Sequence, residues 1–295
     1  MGGDMRQVYL ARKLTRQNKK ICYFALCTAS FAAPSDSRMI QAASLEEACS
    51  RSACIICPIP LSRNGIDLNQ SACPRNLILE QILSSFVPGQ FFFAGCIPQV
   101  FRTSAAETGV RVFDLMEDAS LTLYNTLATA EGAICEAIKR SPVNLHHSTC
   151  AVLGYGRCGS TLARYLKSMF CNLYVASGEP EELARAALWA DRTGTLSDFS
   201  SCAGEFDFIF NTIPSICLTA ELLEQTKPSI TIIDIASAPG GLDFASAQKL
   251  KRNAVQCPGL PGRYAPASSA EAIWKTIEQT LRKYQTHIEK NIDQS

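Results

Sequence analysis

A short apolar strand that runs into a glycine-rich turn constrains the fold of this chain more than any other feature. Residues 150–153 are apolar, the pattern Gly154-x-Gly156-x-x-Gly159 follows directly, and residues 160–169 have the character of a helix. A lone glycine pattern of this kind is a weak signal, but its position between a strand and a helix makes it specific. This order predicts the first strand, turn and helix of a dinucleotide-binding domain.

The three glycines have separate predicted roles. Gly154 allows the tight turn, Gly156 lets the backbone approach a pyrophosphate, and Gly159 lets the helix pack closely on the strand. The first turn of the helix offers N–H groups and a partial positive charge to the phosphates, so we add Arg157 and Cys158 to the predicted cofactor-binding residues.

Composition limits the class of protein. The chain has 295 residues, a length that suits one large domain or two smaller ones. Of these residues 47% are hydrophobic and 19% are charged, which is typical of a soluble protein. A net charge of +1 excludes the broad basic footprint of a nucleic-acid-binding protein. No apolar run approaches the roughly 20 residues that span a bilayer, and residues 1–6 lack the apolar core of a signal peptide. We therefore expect a cytoplasmic protein that binds neither nucleic acid nor membrane.

The 14 cysteines are predicted to be reduced, mostly buried thiols. A long chain without a secretory signal argues against a disulfide framework. Cys54-x-x-Cys57 lies in an apolar run that is typical of a buried strand, and His146, His147 and His287 are not at zinc-ligand spacing. We predict no metal site; a structural metal or a redox role for the cysteine pair is the alternative.

Residues 1–118 are predicted to form an N-terminal α/β domain. Apolar segments between turns predict strands at 21–25, 53–57 and 91–95 and helices at 7–17, 44–49 and 76–84. Gly2-Gly3-Asp4 is typical of a glycine turn that opens a helix, yet no strand precedes it. We therefore expect that the first strand of this sheet is missing, or that the natural start lies further upstream.

The rest of the chain is predicted to contain a second α/β domain between two helices. A helical run at 120–140 ends before a proline, so residues 119–147 are expected to form a bridging helix. Residues 148–266 carry the glycine pattern and apolar strands at 172–176, 207–211 and 231–235, which predict an NAD(P)-binding Rossmann domain. Residues 267–295 are predicted to form a long C-terminal helix. The predicted fold class is α/β, with two Rossmann-like domains of parallel sheets bridged by a helix.

Ligands of open α/β sheets bind beyond the carboxyl ends of the strands, so the loops there are candidates for cofactor binding. Asp234 lies inside an apolar strand and needs a partner if it is buried. It is predicted to have a structural role by orienting a neighbouring loop; the alternative is that it holds a substrate group. Each loop has an alternative: Pro214 simply ends a strand, the glycines at 240 and 241 merely supply a turn, and residues 258–266 are only a stiff connection into the final helix. The candidate cofactor-binding residues are Ser177, Asn211, Thr212, Ile213, Pro214, Ala236, Ser237, Pro258, Gly259, Leu260 and Pro261.

The end of the second strand bears on the choice of cofactor. NAD-preferring folds place an acidic residue about 20 residues after the glycine pattern, where it binds the ribose 2′-hydroxyl. The corresponding residue here is the neutral Ser177, which tolerates a 2′-phosphate and favours NADP. NAD is the alternative, because no arginine follows Ser177 and an inward Glu179 would repel a phosphate.

Candidates for the substrate site lie on the predicted bridging helix and on the last loop. Asn125, Thr129 and Glu131 are polar groups that a helix at a cleft would present to substrate, although helix surface charge explains Glu131 equally well. Gly132 inside a helix costs about 1 kcal/mol relative to alanine and therefore indicates a close approach. Arg263 is either an anion contact or a solvated arginine. No catalytic acid or base is predicted.

Several motifs together closely resemble the family of the dipicolinate synthase A subunit, found in endospore-forming bacteria. The glycine pattern is generic, whereas the last two motifs in their order are specific. The resemblance covers nearly the whole chain and is densest from 120 to 270. It rests on Gly2-Gly3-Asp4-x-Arg6-Gln7, Tyr124-Asn125-x-x-x-Thr129-x-Glu131-Gly132, Val152-Leu153-Gly154-x-Gly156-Arg157-x-Gly159, Asn211-Thr212-Ile213-Pro214-Ser215, Asp234-x-Ala236-Ser237-x-Pro239-Gly240-Gly241-x-Asp243-Phe244 and Pro258-Gly259-Leu260-Pro261-Gly262-x-x-Ala265-Pro266.

The resemblance implies an NAD(P)-linked conversion of dihydrodipicolinate to dipicolinate during sporulation. It further implies a family-type N-terminal domain, a Rossmann domain like that of alanine and 2-hydroxyacid dehydrogenases, the flavoprotein-like B subunit of dipicolinate synthase for a partner, and the mother-cell cytoplasm as location. The two carboxylates of such a substrate need cationic or N–H contacts, for which Arg157, Arg263 and Arg102 are candidates.

The sequence also departs from this family in two places. The family has a strand before the motif that begins at Gly2, and it tends to have an arginine after the second strand, where this chain has Ser177. Two other functions are compatible with the sequence: another NAD(P)-dependent dehydrogenase of the alanine or 2-hydroxyacid type, and a nucleotide-binding subunit that is inactive without its partner. Both homo- and hetero-oligomers are compatible with it.

Overall fold

The computed structural model describes residues 1–26 and 38–292, with side chains as far as 286. Internal contacts group the chain into two compact units, Met1–Thr122 with Ala265–Ser295, and Leu123–Tyr264. We call them the first and the second unit. This grouping assigns the C-terminal residues to the first unit, whereas the sequence-based division at 118, 147 and 266, which stays a prediction, treats them separately.

The first unit is built from short parallel strands and helices. β1 pairs with β2, and β3, β4 and β5 form a separate sheet in that order; every pairing is parallel. The first helix precedes the first strand in the chain. The elements are α1 (Met5–Arg16), β1 (Ile21–Tyr23), β2 (Met39–Gln41), α2 (Leu45–Ser50), β3 (Cys54–Ile56), α3 (Leu79–Ser84), β4 (Phe91–Ala94), α4 (Gln99–Glu107) and β5 (Arg111–Asp114).

The N-terminal glycine motif holds α1 in place. The Asp4 carboxylate caps α1 by accepting the Arg6 N–H at 3.0 Å. It also accepts from the Arg6 guanidinium, which is buried and donates to Ile59 O at 2.5 Å. Gln7 Nε2 donates to Cys57 O at 2.8 Å. These bonds tie the first turn of α1 to the chain that follows β3, so this part of the family motif is structural.

The second unit carries a six-stranded parallel sheet in the order β11-β10-β9-β6-β7-β8. From β6 the chain adds β7 and β8 on one side of the sheet, and from the neighbouring β9 it adds β10 and β11 on the other. The strand order therefore reverses between β6 and β9, and ligands of open sheets bind at such a switch point. The elements are α5 (Ala119–Arg140, whose first turn belongs to the first unit), β6 (Thr149–Leu153), α6 (Arg157–Ser168), β7 (Asn172–Ala176), α7 (Pro180–Ala186), β8 (Arg192–Gly194), α8 (Leu196–Ser201), β9 (Phe208–Asn211), α9 (Ala220–Gln225), β10 (Thr231–Asp234), α10 (Phe244–Lys249), β11 (Asn253–Gln256) and α11 (Leu260–Tyr264).

The centre of this sheet is buried on both faces. Phe208 and Phe210 of β9 and Ile232 and Ile233 of β10 are fully buried within two apolar clusters. Continuous apolar runs of this kind are typical of parallel strands that are covered by helices on both sides. The burial fixes the strands, and it therefore fixes the positions from which the following loops start.

The last helix, α12 (Pro266–Ile292), packs on α1 within the first unit. Ile273, Trp274 and Ile277 are buried in one apolar cluster with Leu10 and Leu14 of α1. Full burial of a large apolar side chain contributes about 1.5–3 kcal/mol. The C-terminal helix is therefore part of the core of this unit.

The predicted α/β fold with parallel sheets and a long C-terminal helix is confirmed. The predicted strands at 172–176 and 231–235 correspond to β7 and β10. Sequence patterns missed the strands β2, β5, β8 and β11 and the helices α4 and α7 to α11. These elements are short, and a few residues rarely show a clear period.

The described cysteines are free thiols. Burial raises the pKa of Cys54 to about 12 and that of Cys57 to about 11, so both thiols stay protonated at neutral pH. Within residues 1–26 and 38–292, no three His, Cys, Asp or Glu side chains are grouped to hold a metal ion. No helix in the same part of the chain has the length and apolarity to cross a bilayer.

Removal of the Asp4 carboxylate should destabilise the first unit. In Asp4→Ala, α1 loses its cap and the buried Arg6 guanidinium loses its anionic partner, so we expect the free energy of unfolding to fall by about 3 kcal/mol. Asp4→Asn keeps a capping oxygen and should lose roughly half as much. Urea unfolding followed by circular dichroism measures both variants. No loss of stability in Asp4→Asn would show that the charge on Asp4 contributes nothing beyond the cap.

Candidate functional site

The carboxyl ends of the strands of the second unit lie at one edge of its sheet, because all six strands are parallel. We call this edge, with the loops that follow β6, β7, β9, β10 and β11, the loop edge. The predicted cofactor-binding residues lie at this edge, in the loops, at the end of β9 and at the starts of α6 and α11. The switch point between β6 and β9 lies at its centre.

The glycine turn closes α6 onto β6. Gly154 has a φ of +86°, a conformation that other residues disfavour, and its N–H donates to Ala176 O at 2.8 Å. A Cβ on Gly154 would lie 2.5 Å from Thr212 Oγ1, and a Cβ on Gly159 would lie 2.1 Å from Gly154 O. A larger residue at either position would push the helix away from the strand. The predicted turn and packing roles of these two glycines are confirmed.

The first turn of α6 is accessible to a phosphate. Gly156 is exposed and caps the helix without a side chain, so no capping oxygen competes for the N–H groups of the first turn, which begins with Arg157 and Cys158. The heavy atom nearest to a Cβ on Gly156 would be Glu182 Oε1 at 3.8 Å, which leaves room for a close backbone approach. Burial raises the pKa of the Cys158 thiol, which therefore stays protonated. We call the glycine turn from Gly154 and the first turn of α6 the cradle. Its shape and its backbone N–H groups fit the pyrophosphate of a dinucleotide.

A carboxylate that sequence reasoning missed lies beside this cradle. Glu182 of α7 accepts the Ser177 hydroxyl at 2.6 Å and the Tyr155 N–H at 3.0 Å, both on Oε2. Ser177 is only 2% exposed, so its hydroxyl serves Glu182 and is not presented to a ligand. Glu182 Oε1 is the atom that approaches Gly156. An acidic residue in the first turn of the helix after the second strand is the sequence signal that could have identified it.

The loop after β9 is shaped by buried hydrogen bonds. Asn211 is fully buried; its Nδ2 donates to Ile213 O at 3.0 Å, and its Oδ1 accepts the Ile213 N–H at 3.1 Å. Thr212 donates its N–H and its hydroxyl to Leu153 O, each at 2.9 Å. Asn211 and Thr212 therefore hold this loop against the end of β6.

Asp234 organises the loop after β10. The carboxylate is fully buried and accepts from Asn211 Nδ2 at 2.9 Å, from the Ala236 N–H at 3.1 Å and from the Gly241 N–H at 2.9 Å. A buried carboxylate is stable only with such partners. The predicted structural role of Asp234 is confirmed, because this one side chain ties two loops of the loop edge together.

The remaining predicted cofactor residues divide by exposure. The exposed residues are accessible to a ligand, and the buried residues pack inside the unit. Pro214, Ser237, Pro258 and Gly259 are exposed, Pro261 is half-buried, and Ala236 and Leu260 are buried.

The last loop is anchored on α5 through a close approach. A Cβ on Gly132 would lie 3.0 Å from Leu260 Cβ and 2.9 Å from the Tyr264 ring, and Leu260 is 1% exposed. The close approach that the glycine inside the helix predicted is confirmed. The start of α11 can reach α5 only because this position has no side chain.

A buried carboxylate fixes the same contact. Glu136 accepts from Arg140, from Arg263 Nη2 at 2.8 Å and from the Tyr264 hydroxyl. The bond from Tyr264 and the two guanidinium groups hold the pKa of Glu136 below its usual value, against the effect of burial. Burial and the bond to Glu136 raise the pKa of Tyr264. Arg263, a substrate-site candidate, is thus paired with Glu136.

The other substrate-site candidates make contacts along α5 and with α6. The Thr129 hydroxyl donates to Asn125 O at 2.9 Å, which is a bond within the helix. Glu131 is exposed and accepts the Tyr165 hydroxyl at 3.4 Å. Asn125 and Thr129 are half-buried. A substrate role for these residues stays a prediction.

Glu136→Gln should lower the free energy of unfolding at neutral pH. It should also make that free energy depend less on pH in the acid range. Because the folded protein holds the Glu136 pKa below the ordinary 4.5, its stabilising effect is present above that pH and is lost as the pH falls through the lowered value. We expect the variant to be less stable by about 2 kcal/mol at neutral pH. The gap should close as the pH falls below about 4.5 and through the lowered pKa of Glu136, because glutamine does not titrate.

Urea titrations of both proteins across this pH range measure the gap. Glu131→Gln, an exposed change on the same helix, is the control and should alter stability by less than about 0.5 kcal/mol. A gap between wild type and Glu136→Gln that stays constant in acid would contradict the assigned electrostatic role.

The first part of the chain matches a known family model. Residues 1–116 match the model of the N-terminal domain of the dipicolinate synthase A subunit. The match covers the strands β1 to β5 and the motif that begins at Gly2.

Comparison with whole proteins extends this finding to the second unit. The chain is 28% identical over 287 residues to the dipicolinate synthase A subunit of Bacillus subtilis (strain 168), covering 97% of this chain and 95% of that protein. A crystal structure of the dipicolinate synthase A subunit from Bacillus halodurans superposes with a TM-score of 0.80 and 27% identity, covering 95% of each chain. The transhydrogenase of Sinorhizobium meliloti shares the fold, with a TM-score of 0.66 and 15% identity over 93% of this chain and 88% of that one. The resemblance that the motifs indicate is confirmed: the chain is a relative of the dipicolinate synthase A subunit, with the Rossmann-type fold of dehydrogenases.

Proposed function

We propose that this chain is the nucleotide-binding subunit of a dipicolinate synthase and that it oxidises dihydrodipicolinate to dipicolinate with a nicotinamide cofactor. The observation that carries the proposal is the glycine cradle at the switch point of the second unit, in a chain that aligns end to end with the dipicolinate synthase A subunit. The expected setting is the mother cell of a sporulating bacterium.

The second unit has the parts that a dinucleotide needs. The first turn of α6 would bind the pyrophosphate through its N–H groups, and the exposed loop residues Ser237, Pro258 and Gly259 would contact the rest of the cofactor. When bound, the cofactor supplies a hydride acceptor for the dihydropyridine ring, which loses one hydride and one proton and becomes aromatic.

The protein's own contribution is mainly orientation. Asp234 and Asn211 hold two loops of the loop edge rigid, and the Glu136 network holds the last loop against α5. Fixed loops lower the cost of aligning substrate and cofactor. Of the predicted carboxylate contacts, Arg263 is paired with Glu136 and Arg102 with Glu117, while Arg157 begins α6 beside the cradle.

Glu182 favours NAD over NADP, although the strand end alone favours NADP. Its carboxylate lies beside the cradle, in the region where folds of this type recognise the adenosine ribose. There it would accept a ribose hydroxyl, and it would repel a 2′-phosphate. We therefore propose NAD as the preferred cofactor.

A second kind of chain is proposed as the partner. The relatives of this chain are the A subunit of their enzyme, which indicates an assembly with at least one other chain. The proposed partner is the flavoprotein-like B subunit of dipicolinate synthase.

The reaction can be tested by absorbance with the purified full chain. Dihydrodipicolinate and NAD or NADP, with and without a candidate B subunit, should give dipicolinate and reduced cofactor in equal amounts. Equal amounts follow because each ring that becomes aromatic delivers one hydride. Saturable cofactor binding without turnover, even with a competent partner, would refute the proposed reaction and favour a nucleotide-binding role without catalysis.

Glu182→Gln should shift the cofactor preference toward NADP. The change removes the negative charge but keeps a group that can accept from Ser177 and Tyr155. We expect the ratio of kcat/KM for NADP to that for NAD to rise about tenfold or more, the equivalent of one lost charge–charge repulsion. Fluorescence titration with NADPH and NADH gives the same comparison without turnover.

The control variant is Glu181→Gln, whose side chain is exposed on the same helix. It carries the same charge change and should leave the ratio unchanged. Equal shifts in both variants would mean that only the general surface charge matters, and the proposed role of Glu182 would be wrong.

A further inference from the structure

Two large apolar side chains are exposed next to each other just after the end of α7 in the second unit. Leu188 is 78% exposed and Trp189 is 47% exposed. Single exposed apolar side chains are common on soluble proteins, whereas adjoining ones with a polar rim mark sites of protein interaction. Tryptophan is also among the residues that contribute most to the affinity of protein interfaces. The pair therefore has the character of the centre of an interface.

Two arginines flank this pair. The guanidinium carbon of Arg164, on α6, lies 5.0 Å from the centre of the Trp189 ring, which is within the range of a cation–π contact. Arg185 is exposed in the last turn of α7, shortly before Leu188. We call the surface formed by Arg164, Arg185, Leu188 and Trp189 the tryptophan patch.

A buried tyrosine shows that the two guanidinium groups lie on the same part of the surface. Tyr155 is 3% exposed, and burial raises the pKa of its hydroxyl, while the charges of Arg164 and Arg185 oppose that shift. Both arginines therefore lie near this hydroxyl. The Tyr155 hydroxyl has no hydrogen-bond partner within the part of the chain that the structure describes. Neither guanidinium donates to it, so their donors stay directed to the surface.

The positive charge of the tryptophan patch is weakly compensated by this chain. Arg164 is exposed and forms no ion pair with any residue that the structure describes. Arg185 lies 3.9 Å from Glu181, and both side chains are exposed, so water screens their attraction. The nearby Asp191 carboxylate accepts from Lys167 Nζ at 2.6 Å instead. A partner with carboxylates would complement the patch.

The segment that carries the two apolar side chains is held in place by its backbone. The Trp189 N–H donates to Ala186 O at 2.9 Å, and the Asp191 N–H donates to Leu173 O at 2.9 Å. Asp191 also accepts the Leu173 N–H at 2.7 Å, so the segment is fixed to the start of β7. A surface that is already ordered loses little conformational entropy when a partner binds.

The chemistry of the patch selects a different protein as the occupant and disfavours a second copy. Two copies that met through this surface about a twofold axis would bring arginines close to arginines, and such like-charge contacts are costly. Leu188 and Trp189 require an apolar side chain as a contact. The planar guanidinium groups of Arg164 and Arg185 match carboxylates, to which arginine can donate two parallel hydrogen bonds.

We propose that the tryptophan patch is the docking surface for the B subunit, through a segment of that subunit that carries carboxylates beside an apolar side chain. The apolar side chain packs on Leu188 and Trp189, and the carboxylates accept hydrogen bonds from Arg164 and Arg185. This proposal rests on the partner that is proposed for the chain, and it does not depend on which reaction the assembly catalyses.

The test measures the binding of the full chain to a purified candidate B subunit by calorimetry. Trp189→Ala removes the largest apolar contact of the patch and should raise the Kd about 30-fold, as is typical for a central interface tryptophan. Because the ring acts through apolar contact, the variant should keep the salt dependence of the wild type.

The arginines have a separate readout, which is the effect of salt. Wild-type affinity should fall as the NaCl concentration rises, because salt screens the attraction between charges. The double variant Arg164→Gln/Arg185→Gln should raise the Kd about tenfold at low salt and should lose most of this salt dependence.

Matched controls lie outside the patch on the same unit. Val143→Ala shortens an exposed apolar side chain, and Lys249→Gln removes an exposed positive charge. Both should bind the B subunit like the wild type. The melting temperature of every variant should match that of the wild type, because the substituted side chains are exposed.

The outcomes separate this proposal from the proposed function. Wild-type binding that the variants of the patch leave unchanged would overturn the docking surface and leave the partnership of the two subunits intact. Equal weakening by the two controls would also overturn it, because the effect would then come from the general surface. If the folded wild type does not bind the B subunit at all, both the docking surface and the proposed partner are wrong.

Discussion

The contact between Gly154 and Gly159 is the constraint on which the candidate cofactor site depends. With no side chain at either position, α6 starts directly over the end of β6, where a Cβ on Gly159 would otherwise lie 2.1 Å from Gly154 O. This contact brings the N-terminus of a twelve-residue helix to the switch point of the sheet. Because the partial positive charge of a helix falls off beyond its first turn, a shift of the helix would remove it from a bound phosphate. Gly156 completes the arrangement by leaving the cap open.

Around this contact, buried carboxylates decide where the loops lie. Asp234 and Glu136 belong to different elements, and each binds three donors. A buried charge is costly unless its partners are in place, so each carboxylate makes one loop arrangement much more stable than its alternatives. Glu182 likewise fixes a loop, because it accepts hydrogen bonds from both Ser177 and Tyr155. Its second oxygen lies toward the cradle, where the same charge that shapes the loop can also select the cofactor.

Sequence reasoning predicted the parts of this site that are local along the chain. The strand, the glycine turn and the helix after it are consecutive in the chain, so they could be recognised together. The strands β7 and β10 could be recognised because their central residues are all apolar. The helices α7 to α11 have five to seven residues, too few for a clear period. Sequence reasoning missed Glu182 because it lies on one of these short helices. Its contact with Ser177 depends on the turn of the chain at the start of α7. The pairing of Arg263 with Glu136 joins residues that are far apart in sequence, and no spacing rule identifies such a pair.

The two units use parallel strands in different ways. In the second unit the six strands form one continuous sheet, so the backbone groups of its four inner strands are paired within the sheet. In the first unit the strands form two sheets, and the residues between them are held by helix packing and by the Asp4 and Arg6 network instead of a shared ladder. An interior strand edge exposes donors and acceptors in a fixed row, and water can satisfy them only where it has access.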